Sequence, residues 1–167
     1  IAKQGQKLAS RLQDILPEHY LPEPGQVHVA GVAGDELPVH KPQGAELTPY
    51  TLWGEIAYQI GGEQLYRQVE AEVTSYAAPG HHYFQTVLGD TKALIMLDEL
   101  AQYATRLQAA RPDGADQLAA FLMGLHGFAR NNSGIAIVLT LASSVDAFSR
   151  QSSKLGQLIS DVRGEDI

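Results

Sequence analysis

The residues best placed to do chemistry are Asp98 and Glu99, which follow the uninterrupted apolar run Ala93-Leu94-Ile95-Met96-Leu97. Five apolar residues without alternation read as a strand buried on both faces, as in a parallel sheet. Carboxylates directly behind such a strand are held rigidly at the sheet edge, where open α/β sheets bind their ligands. Asp98 is expected there to hold Mg²⁺, directly or through its water, because this hard cation prefers oxygen ligands. Glu99 is expected to orient and polarise a water that attacks a terminal phosphate. The bland alternative is that Asp98 caps the following helix and Glu99 favours its positive N-terminus.

Apolar residues followed by Asp-Glu form the Walker B pattern. The next apolar run, Ile135–Leu139, ends at Thr140 and then reaches Ser143 and Ser144. P-loop ATPases of the AAA type often carry a polar residue there that senses the terminal phosphate. Thr140 is the first candidate for that role and Ser143 the second, with caps of the last helix as the plain alternative for both. A complete site also needs G-x-x-x-x-G-K-[ST], whose amides and lysine cradle the phosphates. No Gly-Lys dipeptide exists in the chain, and Lys3, Lys7, Lys41, Lys92 and Lys154 all lack the preceding glycine. Either the protein is not an ATPase, or the loop lies upstream of Ile1. The chain begins at Ile1 inside a helical pattern with no start signal, which favours an excised fragment with weak or no ATP binding of its own.

Other candidates carry less. His81 and His82 are adjacent, so on a helix they point in different directions, and no third ligand stands at a telling spacing. Ser143 and Ser144 lack the G-x-S-x-G elbow of a nucleophilic serine. Arg106, Arg111 and Arg130 are conceivable arginine fingers in an oligomer, with solvated surface as the favoured reading. Trp53, with Ile56, Ala57 and Ile60 on one helical face, reads as core.

The elements that must position these residues alternate. A helix over 1–16 carries Ile1, Leu8, Leu12 and Ile15 or Leu16 on one face and stops at Pro17. A strand follows over 27–32, then a Gly- and Pro-loaded loop over 34–49. Thr48 or Thr51 caps a helix through Ile60 that Gly61-Gly62 breaks, and a second helix covers 63–76. After Pro79-Gly80 come a short helical turn over 83–88, the strand at 93–97, and helices over 98–110 and 115–130. The strand Ile135–Leu139 and a helix over 143–162 complete the order. Such alternation implies an α/β fold, a three-layer sandwich with a mostly parallel sheet covered on both faces by right-handed crossovers.

The totals bound the function. A chain of 167 residues, 44% hydrophobic and 19% charged, fits a single globular domain over 1–167. No stretch approaches the roughly 18 apolar residues of a membrane span. The absence of cysteine excludes disulfides and thiol nucleophiles and fits a cytoplasmic protein. A net charge of −7 with 12 basic residues works against direct nucleic-acid binding, so nucleic-acid contact is expected through other domains.

Three segments carry a family resemblance. Thr51-Leu52-Trp53-Gly54-Glu55-Ile56-Ala57-Tyr58-Gln59-Ile60-Gly61-Gly62, Ala78-Pro79-Gly80, and Leu94-Ile95-Met96-Leu97-Asp98-Glu99-Leu100 with Tyr103 resemble large bacterial and archaeal ATPases of the AAA superfamily. That family is catalogued as a domain of unknown function and is often encoded beside DNA methyltransferase-like and helicase-like proteins in phage-defence loci. The likeness spans residues 48–148. It implies a partial P-loop NTPase core, with ATP and Mg²⁺ as cofactors of the full-length protein and remodelling of a nucleic-acid or protein complex as its work. The rival reading is a non-catalytic regulatory or scaffold module that retains the fold. In ATPases of this class the loop-bearing strand lies beside the strand assigned here to Ile135–Leu139. Its absence is expected to bare that edge and to invite self-association, protein partners or a covering helix.

Overall fold

A computed structural model describes residues 25–44 and 46–140. The elements are β1 (His28–Ala33), α1 (Leu52–Gln68), α2 (Glu70–Val73), α3 (His81–Leu88), β2 (Ala93–Asp98), α4 (Leu100–Ala110), α5 (Gly114–Asn131) and β3 (Ile135–Leu139). The helices expected over 1–16 and 143–162 lie outside the described residues.

The three strands form one parallel sheet in the order β1-β2-β3. Its register stacks Ala30, Ile95 and Ile137 in one row and Val32, Leu97 and Leu139 in the next. Both rows face the core. Each crossover steps in the same direction across the sheet, so right-handed connections bring their helices to the same face. Trp53, Tyr83, Tyr103, Phe121 and Leu118 are among the side chains fully buried there. Phe84 stacks on Phe121 and Phe128, and the Trp53 ring lies 5.4 Å from that of Phe121.

The strands are therefore not buried on both faces among the described residues. Val29, Met96 and Val138 point to the opposite face and remain 53%, 45% and 44% exposed. The expected α/β arrangement with a parallel sheet is met, whereas the described residues place one helical layer on the sheet and not the expected two. Continuous apolar sequence encodes an apolar second face here without a described element covering it.

Local chemistry explains the boundaries. Thr51 is the cap of α1: its hydroxyl accepts from the Gly54 amide at 3.0 Å and donates to the Val73 carbonyl at 2.7 Å. The expected break at Gly61-Gly62 is found at Gly62, where φ 66° and ψ −161°, a conformation essentially reserved for glycine, divide α1 at that point. The second helix expected over 63–76 is instead divided at Val69, and α2 ends at Val73 with Thr74 as its cap. Trp53 stitches the two pieces together, its indole N–H shared between the carbonyls of Glu72 and Ser75, each at 3.1 Å.

The outer edge of β1 is closed by a side chain. Gln59 on α1 accepts from the Gly31 amide at 2.7 Å and donates to the Gly31 carbonyl at 2.9 Å. Its amide thus replaces the peptide group of a neighbouring strand. Glu55, one turn earlier, accepts from the same Gln59 nitrogen at 2.7 Å and fixes its orientation.

Candidate functional site at the carboxyl end of the sheet

Asp98 is the last residue of the central strand, in register with Ala33 of β1. The β3 side is extended by the Thr140 amide, which donates to the Leu97 carbonyl at 3.0 Å. Three parallel strand ends therefore lie side by side, with Asp98 between the end of β1 and Thr140. By the period of two, Asp98 shares its face with Met96, and Thr140 shares its face with Val138. The pair stands at the carboxyl end of the open apolar face. Both residues are exposed.

The Thr140 hydroxyl donates to Asp98 Oδ1, and the Glu99 amide donates to the same oxygen at 2.9 Å. Asp98 Oδ2 takes no hydrogen bond among the described residues, so one oxygen is oriented and the other is available. Asp98 makes no side-chain bond to the first turn of α4, so helix capping does not account for its position. Two residues 42 apart in sequence meet because parallel pairing sets the ends of β2 and β3 together. Ser143, the second sensor candidate, lies outside the described residues.

Glu99 does not begin the helix. It links β2 to α4 in the left-handed region, φ 52° and ψ 31°, the sole non-glycine residue with positive φ among those described. For an L-residue this conformation costs about 1 kcal/mol or more and persists where surroundings enforce it. Its carbonyl accepts from the amides of Gln102 and Tyr103 at 3.1 and 3.3 Å, which starts α4. Its carboxylate accepts from the Gln102 side chain at 2.7 Å. The surroundings include Gly34: a Cβ there would stand 2.6 Å from the Glu99 carbonyl oxygen and 3.0 Å from that of Asp98. The Gly34 amide donates to the Asp98 carbonyl at 2.8 Å.

Arg106 is not a solvated surface residue. Half-buried on α4, it donates through Nη2 to the carbonyls of Gly34 and Leu37, the latter at 2.7 Å. Arg111 lies over the Tyr76 ring, 4.6 Å from its centroid, with its side chain still 40% exposed. Sequence alone gives no signal for either placement, since a basic residue on an amphipathic helix ordinarily stays in water.

His81 and His82 are exposed at the start of α3 and diverge. His82 Nδ1 meets Glu72 at 3.1 Å, while the His81 ring stands edge-on to Phe128 at 6.0 Å. No group of three potential metal-ligating side chains assembles among the described residues. No helix among them is long and apolar enough to cross a membrane.

Residues 31–157 match the family model described as the DUF499 N-terminal domain, a span that covers most of the chain and includes both Asp98 and Thr140. No curated protein and no solved structure matches.

Proposed function

The chain belongs to the DUF499 N-terminal domain family, and we propose that it is the Walker B half of a P-loop ATPase core, acting in a full-length protein that hydrolyses ATP. The observation that carries this reading is the hydroxyl of Thr140 on the Asp98 carboxylate at neighbouring strand ends, with Glu99 next in sequence. A metal-holding carboxylate, a water-orienting carboxylate and a phosphate-sensing hydroxyl need that juxtaposition.

The residues fit a hard divalent cation. Asp98 offers an exposed carboxylate with one oxygen available, the donor type that Mg²⁺ prefers while keeping part of its water shell. When bound, Mg²⁺ supplies positive charge that offsets the charge developing on the phosphoryl oxygens. Asp98 would hold it, with Thr140 fixing the carboxylate's orientation. Glu99 accepts a proton from water and orients that water once its carboxylate leaves Gln102. The phosphate cradle itself is not supplied by this chain, which has no Gly-Lys dipeptide. The remodelling of a nucleic-acid or protein complex, in bacterial defence or DNA metabolism, belongs to the same proposal through the resemblance of the Trp53 segment.

A second reading, a non-catalytic scaffold that keeps the fold, draws on one observation: the Glu99 carboxylate is already engaged by Gln102. Hydrolysis of ATP by the full-length protein separates the two. Asp98→Asn and Glu99→Gln should each lower turnover by about 10²–10⁴-fold, while nucleotide binding survives Glu99→Gln. Equal turnover in the wild type and in both variants removes the roles given to Asp98 and Glu99, whereas no turnover in any of the three removes the enzyme reading in favour of the scaffold.

A further inference from the structure

We infer that Arg106 and Gly34 are positioning residues for the Asp98–Glu99 pair, an inference that rests on the ATPase reading of that pair. Four contacts form a closed circuit. The Gly34 amide donates to the Asp98 carbonyl at 2.8 Å, and the Gly34 α-carbon lies against the Glu99 carbonyl so closely that a Cβ would meet it at 2.6 Å. From Glu99 the chain runs directly into α4, and seven residues later the Arg106 side chain reaches back to the carbonyls of Gly34 and Leu37. Helical side chains lean toward the N-terminus of their helix, which gives Arg106 that reach.

The circuit explains two features that otherwise stand alone. Glu99 occupies a left-handed conformation that a glutamate does not favour, and α4 starts only at Leu100. With Gly34 seated, the Glu99 carbonyl has a fixed place and the strand-to-helix turn cannot relax into the helix. The Arg106 guanidinium is also held at a cost: its Nε is buried with no hydrogen-bond partner among the described residues. An arginine serving only solubility has no cause to desolvate there. Because one Nη2 serves two carbonyls of the loop behind β1, loss of the guanidinium unseats Gly34 while leaving the chemistry-bearing side chains in place.

This assignment separates Arg106 from an arginine finger. A finger contacts phosphate, and its loss is felt when nucleotide binds. A positioning residue acts through Gly34, so Arg106→Met and Gly34→Ala should produce the same defect. In the full-length protein each is expected to lower kcat for ATP hydrolysis by about 10- to 100-fold, the scale of an ångström-sized misplacement, with KM changed by less than about threefold. Arg106→Lys, which keeps donors for the loop carbonyls, should recover most of the lost turnover. Hydrogen exchange gives a second readout that needs no activity: in Arg106→Met the amides of Gly34, Gln102 and Tyr103 should lose protection while that of Ile95 keeps it.

Wild-type protection at Gly34, Gln102 and Tyr103 in Arg106→Met overturns the inference, whatever happens to turnover. So does a defect in Arg106→Met that appears wholly in KM with Gly34→Ala unaffected, which is the signature of a phosphate-contacting arginine. If Glu99→Gln leaves hydrolysis unchanged, the ATPase reading fails instead. The exchange result then still decides whether Arg106 positions the turn.

Discussion

At the scale of single residues, Glu99 concentrates the tension between stability and chemistry. Its left-handed backbone suits glycine, so Glu99→Gly should raise the unfolding free energy by about 1 kcal/mol in denaturant titrations, even as it removes the proposed water-orienting carboxylate. A drop in stability would show that the Gln102 contact outweighs the backbone strain. The buried tyrosines supply a pH dependence. Burial pushes Tyr103 up to about 12 and Tyr83 well above its ordinary value, with the Tyr83 hydroxyl donating to the Trp53 carbonyl at 2.6 Å. Both stay neutral when folded, whereas the unfolded phenols ionise near 10. Their stabilisation is therefore fully present below pH 10 and is lost as pH rises from about 10 to 12. Denaturation midpoints should fall across that window, and Tyr103→Phe should flatten the fall. The identities of Asp98, Glu99 and Thr140 as a candidate set were legible in sequence because each follows an apolar run. The left-handed turn at Glu99 was not, because it arises from a glycine 65 positions earlier in the chain that no local pattern connects to it.

At the scale of elements, boundaries followed the chemistry that sequence displays and departed from it where tertiary contacts intervened. Thr51 caps α1 as its side chain allows, and the apolar run at 93–97 is β2 with Asp98 added. Gly61-Gly62 read as a break, and Gly62 takes a non-helical conformation that divides α1 there. The division at Val69 has no punctuating residue and is held by the Trp53 indole and the Thr51 hydroxyl, both bonded to carbonyls near the end of α2. The junction of α1 with β1 offers a test of the closed sheet edge. Gln59→Ala leaves the amide and carbonyl of Gly31 to solvent, at an expected cost of about 1 kcal/mol for exposed bonds of this kind. Faster exchange of the Gly31 amide, with exchange at Ile95 unchanged, is the expected result. Equal protection at Gly31 would mean that the side-chain amide contributes nothing to the edge.

At the scale of the whole molecule, the alternation of strands and helices was enough to read an α/β fold with a parallel sheet, since apolar runs separated by helical periods have few other solutions. The number of covered faces was not readable, because Val29, Met96 and Val138 are as apolar as the residues opposite them. Two neighbouring substitutions measure the difference. Ile95→Ala, at a fully buried position, should cost about 2–5 kcal/mol, whereas Met96→Ala, 45% exposed, should stay within about 0.5 kcal/mol. Comparable losses at both would place an element over the second face. The Gln59 amide has a consequence for assembly as well. Growth of a sheet from copy to copy needs two reactive margins, as a polymer needs two functional ends on each monomer. The Gly31 peptide group at the β1 margin is occupied by Gln59, so a strand added there must first displace that side chain. Addition of a strand at that margin therefore competes with a contact made inside the molecule, and Gln59→Ala removes the competitor.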